Sequence, residues 1–103
     1  MSTDSFDDIK FLEDKFGAMS VGLYIKAFRE ADGISQTAFA KKLKISRANL
    51  CDIEKGRKLV SAERAARIAK KLKIPETTMI QLALQDLLNH AHLNYKIELK
   101  KVA

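Results

Sequence analysis

The 103-residue sequence has little of what secreted, disulfide-rich or membrane-spanning proteins require. Its one cysteine, Cys51, cannot form a disulfide within the chain, which argues against a disulfide-stapled scaffold. No apolar run approaches the roughly 20 residues needed to cross a bilayer. The first residues also lack the basic start and apolar stretch of a secretory signal. We therefore expect a cytoplasmic protein without a membrane partner.

Residues that carry enzyme chemistry are also scarce. His90 and His92, together with Cys51, are too few and too scattered for a zinc site. The sequence has no glycine-rich phosphate loop and no paired carboxylates at a catalytic spacing. Cys51 is better interpreted as a small, partly buried residue than as a redox switch. We expect neither catalysis, nor a metal, nor a cofactor.

The net charge of +6 is distributed unevenly along the chain. Residues 1–18 contain five acids and two lysines, whereas residues 41–73 contain twelve lysines and arginines and only three acids. A basic block inside a folded domain indicates a polyanionic partner. A solvated, lysine-rich surface explains the same charge equally well, so charge alone does not decide between the two.

Apolar spacing and helix-end signals predict a series of short helices. The helices are expected at residues 20–32, 36–43, 47–55, 61–72 and 75–90. The first four begin at or directly after a serine, and the fifth begins at a proline. A glycine follows the first and the third helix. In residues 1–18, apolar residues recur at helical spacing after Ser5 and predict one further short helix; they are Phe6, Ile9, Leu12 and Phe16.

After His90 the periodicity changes from helical to alternating. Leu93, Tyr95, Ile97 and Leu99 alternate with polar residues, a pattern that is typical of a half-buried β-strand. A strand needs a partner for its backbone groups, and no other segment of this chain has the pattern of one. The expected partner is therefore the same strand of a second copy, or a strand of another protein.

Residues 36–56 have the pattern of two short helices joined by a tight connection. Two such helices must cross steeply, and this requires buried apolar side chains and one small residue where they touch. The sequence supplies them as Phe39, Leu43, Ile45, Leu50, Ile53 and the small Ala40. This geometry lets the second helix enter the major groove of DNA while the first lies across the backbone. A five-helix bundle that does not bind DNA is the alternative.

At these positions the sequence resembles the XRE family of phage repressors, Cro proteins and their bacterial relatives. The resemblance covers about residues 20–84 and rests on Ile34, Ser35, Gln36, Phe39, Ala40, Leu43, Ile45, Ser46, Leu50, Ile53, Glu54 and Gly56. It implies an all-α fold, a five-helix repressor-like helix-turn-helix domain at residues 19–90. An acidic N-terminal extension with one short helix (1–18) precedes it, and a C-terminal β-strand or tail (91–103) for dimerisation or partner binding follows. Lys44 departs from the family, which often has glycine at this left-handed position, and lysine there should cost about 1 kcal/mol.

The resemblance also implies roles for individual residues. The expected base-reading residues are Arg47, Ala48, Asn49 and Asp52, whose side chains suit guanine, a thymine methyl group, adenine and cytosine, respectively. The expected phosphate-binding residues are Gln36, Ser46, Lys55, Arg57 and Lys58. Gln36 should also brace the recognition helix, and Arg29 should form a structural ion pair with Glu54. Lys41, Lys42, Lys70 and Lys71 are interpreted as solvated helix faces.

These roles predict a transcriptional regulator that binds double-stranded DNA, most simply a dimeric repressor reading a palindromic operator. The residues available for a homodimer or partner interface are Ile80, Leu84, Leu87, Leu88, Leu93, Tyr95, Ile97 and Leu99. One alternative is an antitoxin that neutralises a toxin protein and represses its own operon, since either terminal segment could engage a basic toxin. Another is the controller protein of a restriction–modification system.

Overall fold

Helices account for all of the regular structure at residues 19–102, the part of the chain that a computed structural model describes. The five helices are α1 (Val21–Ala31), α2 (Gln36–Leu43), α3 (Arg47–Glu54), α4 (Ala62–Leu72) and α5 (Glu76–His90). The predicted all-α, five-helix domain is thus confirmed. The short helix predicted after Ser5 lies outside the described residues.

The ends of the helices follow the predicted local signals. The hydroxyl oxygens of four serines each accept the backbone N–H three residues ahead at 3.0–3.1 Å; these serines are Ser20, Ser35, Ser46 and Ser61. α2 and α4 end on Lys44 and Lys73, both left-handed with φ of 59° and 58°. The expectation of a left-handed Lys44 is therefore confirmed.

The core contains most of the residues that the two-helix motif requires; Ile45 is the exception, since it is half-buried and packs against the core. Phe39 and Leu43 of α2 and Leu50 and Ile53 of α3 are fully buried, and Ala40 is buried with them. α1 packs against α3, α2 against α3, and α4 against α5. Burial of these apolar side chains is the main force that fixes α3 at a defined angle to the domain.

Two contacts of α1 hold it close to the remaining helices. Gly22 lies against the backbone carbonyl of Ile53, and a Cβ at position 22 would collide with that oxygen. The N–H of Val21 donates to Asp86 Oδ2 at 3.0 Å, which joins the start of α1 to α5. Burial raises the pKa of the Asp86 carboxyl, and the hydrogen bond from Val21 offsets only part of that rise.

α5 carries two apolar faces, of which one enters the core. The core-facing residues are Thr78, Met79, Leu82 and Ala83. The α5 residues predicted for a homodimer or partner interface lie outside the core, Leu87 being 46% exposed and Ile80, Leu84 and Leu88 half-buried. Among the described residues, none covers them completely.

The predicted β-strand at residues 93–99 is not found in the single chain, where residues 93–102 form no regular secondary structure. The side-chain amide of Gln85 donates to the carbonyl of Tyr95 at 2.7 Å and accepts the N–H of Ile97 at 2.8 Å. These are backbone groups that a neighbouring strand would otherwise bind. Ile97 and Leu99 are half-buried, whereas Leu93 and Tyr95 are 47% and 70% exposed, so the alternating pattern does not produce one buried face.

Candidate nucleic-acid interface

α3 has a buried face that anchors it and an outward face that carries polar side chains. Leu50, Ile53 and Glu54 are buried. Of the predicted base-reading residues, Arg47 and Ala48 are exposed, whereas Asn49 and Asp52 are half-buried. The structure therefore brings the four together on the solvent side of one helix only two turns long.

The first turn of α3 offers hydrogen-bond donors to an anion. The Ser46 hydroxyl oxygen accepts the Asn49 N–H at 3.0 Å, so the hydroxyl proton stays available to an acceptor such as a phosphate oxygen. The first N–H groups of a helix have no partners within the helix and carry a partial positive charge. This geometry suits the phosphate-binding role that the sequence predicts for Ser46.

An ion pair ties α3 to α1. Arg29 donates from Nε to Glu54 Oε2 at 2.8 Å and from Nη2 to Oε1 at 3.0 Å, and its Nη1 donates to the Ile34 carbonyl at 3.1 Å. The Glu54 side chain is 2% exposed and that of Arg29 13%. The two residues that the sequence pairs are thus in bidentate contact between α1 and the end of α3.

Gln36 joins the same network by donating from Nε2 to Glu54 Oε1 at 3.0 Å, so it braces α3 from the start of α2. Burial alone raises the pKa of Glu54, but hydrogen bonds from Arg29 and Gln36 and the charge of Arg29 lower it below its usual range. The Glu54 hydrogen bonds raise the pKa of Arg29. Both groups are charged at neutral pH, and the pair holds α3 in place rather than serving as a proton donor or acceptor.

The loop after α3 turns back over the end of that helix. Gly56 has φ of 77°, its N–H donates to the Ile53 carbonyl, and the Arg57 N–H donates to the Asp52 carbonyl at 2.8 Å. This is the Schellman arrangement that ends many helices. It brings the two side chains that follow Gly56 alongside α3 instead of directing them away from it.

Both of these side chains contact predicted base-reading residues. Lys58 Nζ donates to Asn49 Oδ1 at 2.8 Å, and Arg57 Nη1 lies 3.4 Å from Asp52 Oδ1. The sequence predicted phosphate contacts for Arg57 and Lys58 and gave no indication of these pairings. Lys55, the third predicted phosphate-binding residue of this loop, is exposed.

The basic block keeps its cations on the surface. Of its twelve lysines and arginines, only Arg64 and Lys71 are half-buried, and the others are exposed. Its three acids all lie near arginines: Glu54 near Arg29, Asp52 near Arg57, and Glu63 near Arg67. The surface formed by residues 41–73 therefore has a large excess of positive charge, as a polyanion-binding surface requires.

Sequence reasoning missed two residues that position α3 or its neighbours. Gly22 allows α1 to approach the end of α3 closely, and only the three-dimensional packing reveals this. Lys71, interpreted as part of a solvated face, donates from Nζ to the Leu43 carbonyl at 3.0 Å and so caps the end of α2.

Within residues 19–102, no three His, Cys, Asp or Glu side chains cluster as metal ligands would. No helix in this part of the chain is both long and apolar enough to cross a membrane.

Comparison with known proteins agrees with this geometry. The model of a helix-turn-helix family matches residues 25–79, just over half of the chain, and the match contains α2, α3 and most of α1. No curated protein and no solved structure matches the chain significantly. The chain belongs to the XRE-type helix-turn-helix family of DNA-binding transcriptional regulators.

Proposed function

We propose that the protein is a transcriptional repressor that binds a palindromic operator as a homodimer, with α3 of each copy in the major groove. The observation that carries the proposal is the fixed placement of α3. One side of α3 is held by the core and by the Arg29–Glu54–Gln36 network, and its other side displays Arg47, Ala48, Asn49 and Asp52. A rigid helix that presents polar groups is what direct base readout requires.

In this proposal the contacts divide into two classes. Arg47, Ala48, Asn49 and Asp52 face base edges and provide selectivity. Ser46, Gln36 and Lys55 bind phosphates and set the register on the duplex, and Arg57 and Lys58 add positive charge alongside α3. Repression follows if the operator overlaps a promoter, because the bound dimer then excludes polymerase.

The proposed dimer is supported by apolar surface that no described residue buries. It includes Leu87 on α5 and Leu93 and Tyr95 beyond it, which are 46%, 47% and 70% exposed. One recognition helix reads only a few base pairs, and a two-fold dimer doubles the site. Its two α3 helices would lie one turn of DNA apart, about 34 Å.

Selection of bound duplexes from a random pool tests the proposal. We expect a palindrome whose half-sites are centred about 10 base pairs apart. A pool that remains random after repeated rounds would reject sequence-specific binding. A single half-site without a repeat would reject the dimer.

A second function, that of an antitoxin, is favoured by one observation. The C-terminal segment at residues 93–102 exposes Leu93, Tyr95 and Val102 and forms no strand or helix with the rest of the described chain. Removal of residues 92–103, followed by mass measurement and operator titration, separates the two functions. Loss of the dimer supports the repressor proposal. A truncated protein that stays dimeric and binds its operator fully would show that the segment serves another protein, such as a toxin.

A further inference from the structure

Asn49 is held by a lysine from outside its own helix. Lys58 lies nine residues later, and the turn at Gly56 returns it to α3, where its ammonium group contacts Asn49 Oδ1 at 2.8 Å. A lysine ammonium has three donors and no acceptor. The Asn49 amide must therefore turn its oxygen toward Lys58, which fixes one of its two possible orientations.

The fixed orientation determines what Asn49 can offer to a base. Asparagine pairs with adenine by accepting from N6 with its oxygen while donating to N7 with its nitrogen. In this protein Lys58 occupies one lone pair of the oxygen and places its positive charge beside the other, which disfavours a second donor such as N6, so Nδ2 is the group best placed to meet a base. The Lys58 ammonium group has further N–H donors, and these lie close to Asn49. The pair therefore presents chiefly donors.

Guanine is the base that suits a surface of donors. Its major-groove edge has two acceptors, N7 and O6, whereas adenine has one acceptor and the N6 donor. A donor facing N6 would place two donors against each other without an acceptor between them, which is unfavourable.

We propose that Lys58 is a specificity-determining residue that orients Asn49 toward guanine and against adenine. This inference rests on the proposed base readout by α3. Lys58 acts through Asn49, and its contribution differs from that of a lysine that only attracts phosphate. Lys55 is the matched comparison, because it lies in the same loop, carries the same charge and makes no hydrogen bond to a base-reading residue within residues 19–102.

The test compares duplex selection by the wild type and by the Asn49→Ala, Lys58→Met and Lys55→Met variants. Asn49→Ala identifies the position that Asn49 reads, because the base preference there becomes flat. At that position the wild type is expected to select guanine. Lys58→Met should change the guanine-to-adenine affinity ratio by about fivefold or more in favour of adenine. Lys55→Met should weaken binding to all duplexes and leave this ratio unchanged.

Different results overturn different claims. If the wild type selects no motif, the proposed function fails and the inference fails with it. The inference alone is overturned if a motif is selected but Asn49→Ala flattens no position, if the wild type selects adenine there, or if Lys58→Met changes affinity without changing the ratio. Equal melting temperatures of the wild type and the two lysine variants show that the changes at these exposed side chains do not act through unfolding.

Discussion

Replacement of Arg29 by methionine removes three hydrogen bonds. Among residues 19–102, it leaves Gln36 as the side-chain hydrogen-bond partner of the Glu54 carboxylate, which is 2% exposed. Removing one member of a buried ion pair costs about 3–5 kcal/mol. Because Arg29 is 13% exposed and water can reach part of the site, we expect the lower end, about 3 kcal/mol. In a domain of this size that corresponds to a melting temperature lower by about 12–24 °C.

A double-mutant cycle isolates the pair from other effects of the substitution. Urea unfolding at pH 7 is measured for Arg29→Met, Glu54→Met and the double variant. The double variant should cost less than the two single changes together, with a coupling of about 2 kcal/mol, because it leaves no unpaired buried charge. Arg67→Met is the control, since the Arg67–Glu63 contact is exposed, with a distance of 3.6 Å, and should cost less than about 0.5 kcal/mol. Single costs that simply add, or an Arg29→Met cost below about 1 kcal/mol, would refute the reasoning.

Three further changes act on other parts of the same framework. Gly22→Ala should destabilise the protein by about 1–3 kcal/mol, because its Cβ meets the Ile53 carbonyl, and an unchanged urea midpoint would contradict this packing. Lys44→Gly should stabilise the protein by about 0.5–1 kcal/mol, because glycine adopts the left-handed conformation at φ 59° without the steric cost that lysine has there. A lower melting temperature of this variant would contradict the claim that Lys44 is strained. Asp86→Asn retains an acceptor for the Val21 N–H. The pKa of Asp86 is higher in the folded protein than in the unfolded chain. Its contribution to the free energy of unfolding is therefore fully present at low pH and is lost as pH rises through the folded pKa. The Asn variant should therefore be at least as stable as the wild type at pH 7, and the difference in free energy of unfolding should shrink on acidification. A difference that grows at low pH would contradict the raised pKa of Asp86.

The parts of the fold that the sequence predicts correctly depend on local chemistry. A serine before an apolar repeat caps a helix because its hydroxyl reaches an N–H three residues away, whatever the rest of the chain does. Ser20, Ser35, Ser46 and Ser61 all follow this rule. The buried side chains of the two-helix motif are predictable for the same reason, since helical spacing alone places them on one face.

The features that the sequence did not reveal depend on distant contacts. The alternating residues after His90 predicted a strand, but Gln85, ten residues before Tyr95, binds the backbone groups that a strand would share with a partner. Lys58 and Asn49 meet only because the chain reverses at Gly56, and the residue types do not distinguish this contact from one to phosphate. Composition and spacing therefore identify α3 as the second helix of the motif, whereas the side-chain hydrogen bonds that α3 makes with the following loop can be found only from the structure.

The central claim is that α3 reads bases, and its most direct test is an affinity comparison between the wild type and Arg47→Ala. Each protein is titrated with the selected duplex and with a scrambled duplex of the same composition at one salt concentration. Loss of the Arg47 guanidinium should weaken binding to the selected duplex by about 5–150-fold and binding to the scrambled duplex by only a few-fold. Equal losses on the two duplexes, or no loss on either, would contradict base reading by α3.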